Sequence, residues 1–185
     1  MSRDYPDEPA GEFPRPPRTV TDREGREVEL LAADGADHDG VFEMYVSFDP
    51  ADRAQGIPPT SESAVRDWVG RVLDEDCWNV VALARASEAA VGHVTLVPDG
   101  DAHELAIFVL QSHQGAGIGT ELLRTALGYG ASHGVDRVWL TVERWNSAAV
   151  ALYKKTGFET SEGGSFELEM TLCLDPGSAQ TERTG

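Results

Sequence analysis

Residues 114–120 read Gln-Gly-Ala-Gly-Ile-Gly-Thr and lie between an apolar run that ends at Leu110 and a helical pattern. The apolar face of that helix consists of Leu122, Leu123, Ala126 and Leu127. Glycines lack a Cβ atom, so successive backbone N–H groups can converge on an anion at a helix N-terminus, where the dipole adds a favourable potential. The stretch therefore predicts a loop that binds a diphosphate.

Other interpretations of this loop fit less well. A dinucleotide-binding fingerprint needs a third glycine where Thr120 stands, and it follows the first strand of a fold, whereas this loop follows four predicted strands. A Walker loop needs a lysine after its last glycine, and Thr120 and Glu121 stand there instead. A glycine-rich turn without a ligand stays open at this point.

Residues 145–158 (WNSAAVALYKKTGF) predict a short helix with a clear start and stop. Asn146 is a good N-cap, Lys154 and Lys155 complement the C-terminal end of the helix dipole, and Gly157 fits a left-handed stop. The spacing of Asn146 and Tyr153 places both on one face, about 10 Å apart.

Taken together, the two stretches resemble the GCN5-related N-acetyltransferase (GNAT) superfamily. The phosphate-loop pattern of that family, Gln/Arg-x-x-Gly-x-Gly/Ala, is met by Gln114, Gly117 and Gly119. Its second pattern, Asn-x-x-Ala-x-x-Leu-Tyr-x-x-x-Gly-Phe, is met by Asn146, Ala149, Leu152, Tyr153, Gly157 and Phe158. The order of the two motifs is specific, and the resemblance covers residues 27–174.

The resemblance implies acetyl-CoA as the acetyl donor, with its pantetheine between two splayed parallel strands at residues 104–110 and 137–142. It implies that backbone groups of the first strand contact the pantetheine, namely those of Phe108, Val109 and Leu110. The pyrophosphate would rest on the loop residues Gln114, Gly115, Ala116, Gly117, Ile118, Gly119 and Thr120. Asn146 would hydrogen-bond the pantetheine arm, and Tyr153 would point at the thioester sulfur.

The implied reaction is direct attack of an amine on the thioester, without a covalent enzyme intermediate. Tyr153 would act as general acid, although a tyrosine that only packs on the core is the alternative. Glu104 stands where some members carry a strand glutamate that deprotonates the amine, but an ordinary solvent-facing Glu104 fits equally well. No cluster of His, Cys, Asp or Glu has metal-ligand spacing, and we expect no metal.

We expect the acceptor to be a primary amine of a small molecule, a protein lysine or a protein N-terminus. By the resemblance, residues 49–59 would line its pocket, where Asp49 and Asp52, together with Glu43, could attract a cation. A non-catalytic module that binds acyl-CoA is the alternative function. A homodimer through the last strand is also compatible with the resemblance.

The order of predicted elements indicates an α+β fold with a mostly antiparallel sheet. The GNAT resemblance adds that this sheet is mixed, that helices cover both of its faces, and that a splayed strand pair holds the cofactor. We expect one domain over residues 22–175. The proline-rich residues 1–21 and the polar residues 176–185 predict disordered tails.

The charge of the chain excludes one class of partner. With 15 Lys and Arg against 32 Asp and Glu, the net charge is −17, which argues against nucleic-acid binding. The excess of acidic residues and the scarcity of lysine fit a halophilic protein, because molar salt shortens the Debye length to about 3 Å and screens the self-repulsion of an acidic surface. An ordinary acidic protein is the alternative. Without an apolar leader or membrane span, we expect a cytoplasmic protein and no membrane partner.

Overall fold

The computed structural model describes residues 3–49, 51, 58–74 and 76–177. Within them the strands are β1 (Arg18–Thr21), β2 (Glu27–Ala33), β3 (Trp78–Ala84), β4 (Ala90–Asp99), β5 (Ala102–Val109), β6 (Arg137–Glu143), β7 (Glu159–Gly163) and β8 (Glu167–Cys173). The α-helices are α1 (His38–Val46), α2 (Glu62–Val72), α3 (Ile118–Ser132) and α4 (Ser147–Thr156). The sequence pattern does not predict β1 and β7, because both are short and β7 (ETSEG) has no apolar alternation.

All eight strands form one sheet, in the order β1-β2-β3-β4-β5-β6-β8-β7. Every neighbouring pair is antiparallel except β5 and β6, which are parallel. The structure therefore confirms the α+β class and the mixed, mostly antiparallel sheet.

Helices cover both faces of the sheet, as expected. Val80 and Ala82 of β3 pack in the same core as Leu122 of α3, whereas the intervening Val81 packs with Tyr45 of α1. Successive strand residues point to opposite faces, so α3 and the α1–α2 pair lie on opposite sides of the sheet. No helix in the described ranges is long and apolar enough to cross a membrane.

The buried face of α2 follows directly from its sequence. Ser61 caps the helix, and its hydroxyl accepts a 3.3 Å hydrogen bond from the N–H of Ala64. Val65, Val69 and Val72 recur at helical spacing and are all buried. Burying each such side chain stabilises the fold by about 1.5–3 kcal/mol, which attaches α2 firmly to the sheet.

The N-terminal segment differs from the expected disordered tail, because residues 3–21 lie against the domain. The Arg3 guanidinium stacks 3.5 Å from the centroid of the Trp139 ring, and its Nε donates to Glu169. The Thr171 hydroxyl donates a 2.7 Å hydrogen bond to the carbonyl of Asp4. These partners lie on β6 and β8, far along the chain, so composition alone does not reveal them. Residues 1, 2 and 178–185 lie outside the described residues.

The same segment crosses α3 at Gly128. A Cβ atom built on Gly128 would lie 2.0 Å from the carbonyl oxygen of Pro14 and 2.6 Å from that of Phe13. Because neither oxygen belongs to a flexible side chain, only glycine permits this approach. The mid-helix glycine and the proline-rich segment are therefore matched to each other.

Candidate active site

A cleft opens where β5 and β6 separate. The two strands pair only at His103–Val138 and Glu104–Trp139, after which both continue without a ladder between them. The cleft has a volume of about 270 Å³, and both strands and α4 line it, together with Gly119 in the first turn of α3. This arrangement is the splayed strand pair that the sequence resemblance implies.

The glycine loop at one end of this cleft exposes the N-terminus of α3. Gly115 and Gly117 have φ values of +72° and +92°, a left-handed conformation that other residues rarely adopt. Gly117 is the N-cap and supplies no side chain to the helix end. The first-turn N–H groups, those of Ile118, Gly119 and Thr120, therefore have no partner within the helix and are suited to an anion.

The pairing of β5 decides which of its backbone groups face the cleft. The N–H of Leu110 donates to the carbonyl of Val91 on β4, and the carbonyl of Leu110 accepts from the N–H of His113. Because hydrogen-bonded and non-hydrogen-bonded pairs alternate, Phe108 also directs its backbone groups to β4, while Val109 directs its own toward β6.

Of the three strand residues expected to contact pantetheine, only Val109 therefore presents backbone groups to the cleft. Ile107, two residues earlier in β5, has the same orientation and also lines the cleft. The family motif did not indicate Ile107, although the alternation of the strand could have done so. Phe108 contributes its side chain instead, on the face of α1 and α2.

Helix α4 begins and ends as its sequence predicts. The Asn146 side-chain oxygen accepts a 3.3 Å hydrogen bond from the N–H of Ala149. Gly157 has a φ of +121°, and its N–H donates to the carbonyl of Tyr153 at 3.1 Å. Both Asn146 and Tyr153 line the cleft, so the face of α4 predicted to meet the cofactor is turned toward the splayed strands.

Burial sets the acid–base character of Tyr153. The side chain is 8% exposed, and its ring packs edge-on against Phe158 with 5.7 Å between centroids. Burial raises the pKa of Tyr153 to about 12, so the phenol stays protonated at neutral pH. Its hydroxyl has no hydrogen-bond partner within the described part of the chain. Tyr153 can therefore donate a hydrogen bond to a group that enters the cleft.

Glu104 lies at the other end of the cleft, where it forms the last ladder pair of β5 and β6 with Trp139. Partial burial raises the pKa of its carboxyl, and the nearby Asp99 raises it further, while the Arg3 guanidinium opposes the shift. A carboxylate with a raised pKa takes up a proton more readily near neutral pH, which suits a general base.

The expected acceptor side contains aromatic rings as well as charge. Tyr45, Phe48, Trp68 and Phe108 form a cluster of edge-on and stacked rings under α1 and α2. Glu43 on α1 and Asp49, which directly follows Phe48, are both exposed. Asp52 lies outside the described residues. The aromatic cluster is a feature that the charge pattern did not reveal.

The β1–β2 turn brings an arginine to the glycine loop. The backbone N–H of Arg23 donates a 2.9 Å hydrogen bond to the carbonyl of Ala116. Its side-chain Nε lies 3.8 Å from the position that a Cβ on Gly117 would take. Arg23 is exposed and forms no ion pair with any described residue, unlike Arg26 in the same turn. Sequence patterns did not indicate Arg23, because its contact with Ala116 joins residues that are far apart in the sequence.

The structure thus gathers most of the predicted site residues and separates others. The cleft is lined by Glu104, Phe108, Val109, Gln114, Gly119, Asn146 and Tyr153. Outside its lining lie Leu110, Gly115, Ala116, Gly117, Ile118 and Thr120, of which Ala116 and Ile118 have buried side chains. Ala116 and Ile118 can therefore meet a ligand at the loop only through their backbone groups.

Comparison with known proteins agrees with this geometry. The sequence model of the Acetyltransferase (GNAT) family matches residues 39–158. The chain belongs to the GNAT family. The match includes the splayed strands, the glycine loop and α4, so it covers the elements that form the cleft.

A curated N-acetyltransferase and a solved GNAT domain resemble the chain to different extents. The uncharacterized N-acetyltransferase YobR of Bacillus subtilis is 36% identical over 74 residues, which cover 40% of this chain and 30% of YobR. The chain therefore spans less than a third of that relative. The GNAT domain of S. lividans PAT has a TM-score of 0.73 at 16% identity, covering 85% of this chain and 96% of that one.

A second solved structure is the spermidine N-acetyltransferase of Vibrio cholerae, in complex with CoA and spermine. Its TM-score is 0.64 at 20% sequence identity, and the match covers 80% of this chain and 95% of the Vibrio cholerae chain. At these identities, the two structures support the GNAT fold and do not identify the acceptor of this chain.

Proposed function

We propose that this protein is an N-acetyltransferase that moves an acetyl group from acetyl-CoA to a primary amine. The observation that carries the proposal is the single cleft that joins Glu104, Val109, Gln114, Asn146 and Tyr153 beside a glycine-capped helix N-terminus. Membership of the GNAT family supports the same activity.

The described residues fit acetyl-CoA. The cleft reaches from α4 to Gln114 and Gly119, so an extended thiol arm between the strands would continue to the glycine loop. At the loop, the uncapped N–H groups of the first turn of α3 suit a pyrophosphate. We propose that Val109 and Asn146 hold the arm and that the loop backbone holds the phosphates.

The proposed reaction uses positioning and hydrogen bonds. An uncharged amine attacks the carbonyl carbon of the acetyl thioester, a C–N bond forms and the C–S bond breaks. The Val109 N–H, which faces the open edge of β5, would stabilise the negative charge on the carbonyl oxygen. Tyr153 would donate a hydrogen bond and then its proton to the departing thiolate.

Glu104 is the proposed base for the amine proton. Because the pKa of its carboxyl is raised, the Glu104 carboxylate is a stronger base near neutral pH than an ordinary glutamate. Its place at the start of the splay puts it at the opposite end of the cleft from the glycine loop, where an acceptor would enter.

Arg23 adds a positive charge to the proposed phosphate site. Acetyl-CoA is strongly anionic, and the protein carries a net charge of −17. Backbone N–H groups supply most of the proposed binding, and the exposed guanidinium beside Gly117 would offset part of the repulsion.

Two measurements together test the proposal. Calorimetry should show binding of CoA and no binding of NAD, and thiol release with a panel of amines should show turnover. CoA binding without turnover on any amine would favour the non-catalytic acyl-CoA module. Failure to bind CoA would refute both functions.

A further inference from the structure

A second cavity adjoins the cleft on the face of α1 and α2, and we call it the side pocket. It has a volume of about 300 Å³. Two cross-strand pairs of β4 and β5 form its floor, Thr95–Ala106 and Val97–Glu104. Trp68, Arg71 and Val72 of α2 form its wall.

The side pocket and the cleft meet at β5, because Glu104 and Ala106 line both cavities. A molecule in the side pocket would therefore have one end beside the carboxylate of Glu104, the proposed base.

The rest of the side-pocket lining is largely apolar. Trp68, Val72, Val97 and Ala106 present apolar surface, and the charged Arg71 is exposed at the rim. The Thr95 hydroxyl is buried and has no hydrogen-bond partner among the described residues.

This lining discriminates between amines by charge. The Glu104 carboxylate can accept one cationic amine that then loses its proton. A second cationic group, as in a polyamine, would lie against apolar side chains and near the Arg71 guanidinium, where both burial and like charge oppose it.

We propose that the side pocket binds the apolar part of the acceptor, and that the acceptor is a primary monoamine joined to an apolar group of side-chain size. A free amine and a peptide with an apolar N-terminal residue share this chemistry. The inference rests on the acetyltransferase activity proposed above, and it adds the substrate class.

The test compares acceptors and a variant of the pocket floor. Phenethylamine and a peptide that begins with phenylalanine represent the two sources, and spermidine is the contrasting polyamine. We expect kcat/KM for phenethylamine or for the peptide to exceed that for spermidine by at least tenfold. The ratio of kcat/KM for phenethylamine to kcat/KM for the peptide then shows whether the acceptor is a free amine or a peptide N-terminus. Preference for spermidine, with CoA binding intact, would overturn the side-pocket proposal while the acetyltransferase activity stands.

Val97→Asp places a carboxylate on the floor and should raise KM for the apolar amine by at least tenfold, with the Kd for CoA unchanged. Val97→Thr is the milder variant in case the aspartate prevents folding, and a rise in KM of a few-fold is expected. Val46→Asp, on the exposed part of α1, is the matched control. An unchanged KM in a folded Val97 variant would refute the proposal.

If no amine is acetylated, the pocket is tested by binding alone. Phenethylamine should then bind to the CoA-loaded wild-type protein and not to the CoA-loaded Val97→Asp variant. Absence of phenethylamine binding to the wild type would refute the proposal.

Discussion

The side-chain amide of Gln114 donates a 2.9 Å hydrogen bond to the carbonyl of Val109, at the edge of β5 that faces the cleft. The bond joins the glycine loop to the strand that would hold the pantetheine arm. Loop and strand are therefore positioned relative to each other before a ligand binds.

Gln114→Ala should weaken CoA binding, because the loop loses this connection. One neutral hydrogen bond contributes about 0.5–1.5 kcal/mol, so we expect the Kd from calorimetry to rise about two- to tenfold. Gln111→Ala, in the turn just before the loop, should leave the Kd unchanged. Equal affinities of Gln114→Ala and wild type would show that the loop does not need this bond.

Tyr153→Phe tests the proposed acid. Removing the hydroxyl should lower kcat by at least about tenfold, with little change in the Kd for CoA. Because the pKa of Tyr153 is raised to about 12, its ionisation should produce no alkaline loss of kcat below about pH 11. Tyr129→Phe on α3 is the control, and wild-type turnover in Tyr153→Phe would exclude the role.

Arg23→Ala tests the positive charge beside the loop. An exposed ion pair contributes about 0.2–1 kcal/mol, so CoA binding should weaken by up to about fivefold at low salt. In about 1 M KCl, where the Debye length is about 3 Å, the difference from wild type should shrink. Arg85→Ala makes the same change in net charge but removes an arginine paired with Glu27 and Glu29. Equal losses in both variants would indicate a general charge effect and not a contact.

The sequence predicts the parts of the site that depend on neighbours in the chain. The Asn146 cap, the Gly157 stop and the glycine loop at the N-terminus of α3 follow from residues within one or two turns of each other. Arg23 and the contacts of Arg3 depend on partners about 90 to 170 residues away. No local periodicity encodes such contacts, so composition predicts a disordered tail where the structure has a segment packed on the sheet.

Gly128→Ala tests whether the N-terminal segment belongs to the folded domain. In an open helix, alanine would stabilise by about 1 kcal/mol relative to glycine. Here the new methyl group would overlap the carbonyl of Pro14, and overpacking of this kind costs about 1–3 kcal/mol. We expect a lower free energy of unfolding in urea. Gly70→Ala in α2, whose Cβ would meet nothing closer than 4.0 Å, should be neutral or stabilising. A stabilised Gly128→Ala would show that the segment does not occupy this position in solution.

His93 should make the protein sensitive to acid. Asn79 donates from its amide nitrogen to the carbonyl of Val72, so its oxygen faces His93 Nε2 at 2.8 Å and accepts that proton. His93 Nδ1 then accepts a 2.6 Å hydrogen bond from the Tyr45 hydroxyl. Burial lowers the pKa of His93 to about 3, so the imidazole is neutral in the folded protein.

The direction of the pH effect follows from this depressed pKa. An unfolded histidine has a pKa of about 6.5, so between pH 6.5 and 3 the unfolded chain holds one proton more than the folded one. This group therefore lowers the free energy of unfolding by about 1.4 kcal/mol per pH unit as the pH falls through that window. Urea titrations between pH 7 and 4 should show a slope smaller by about one proton in His93→Gln than in wild type. Tyr45→Phe should be less stable yet keep the slope, because burial and not the hydrogen bond causes the shift. Identical slopes in wild type and His93→Gln would mean that His93 titrates normally in the folded protein.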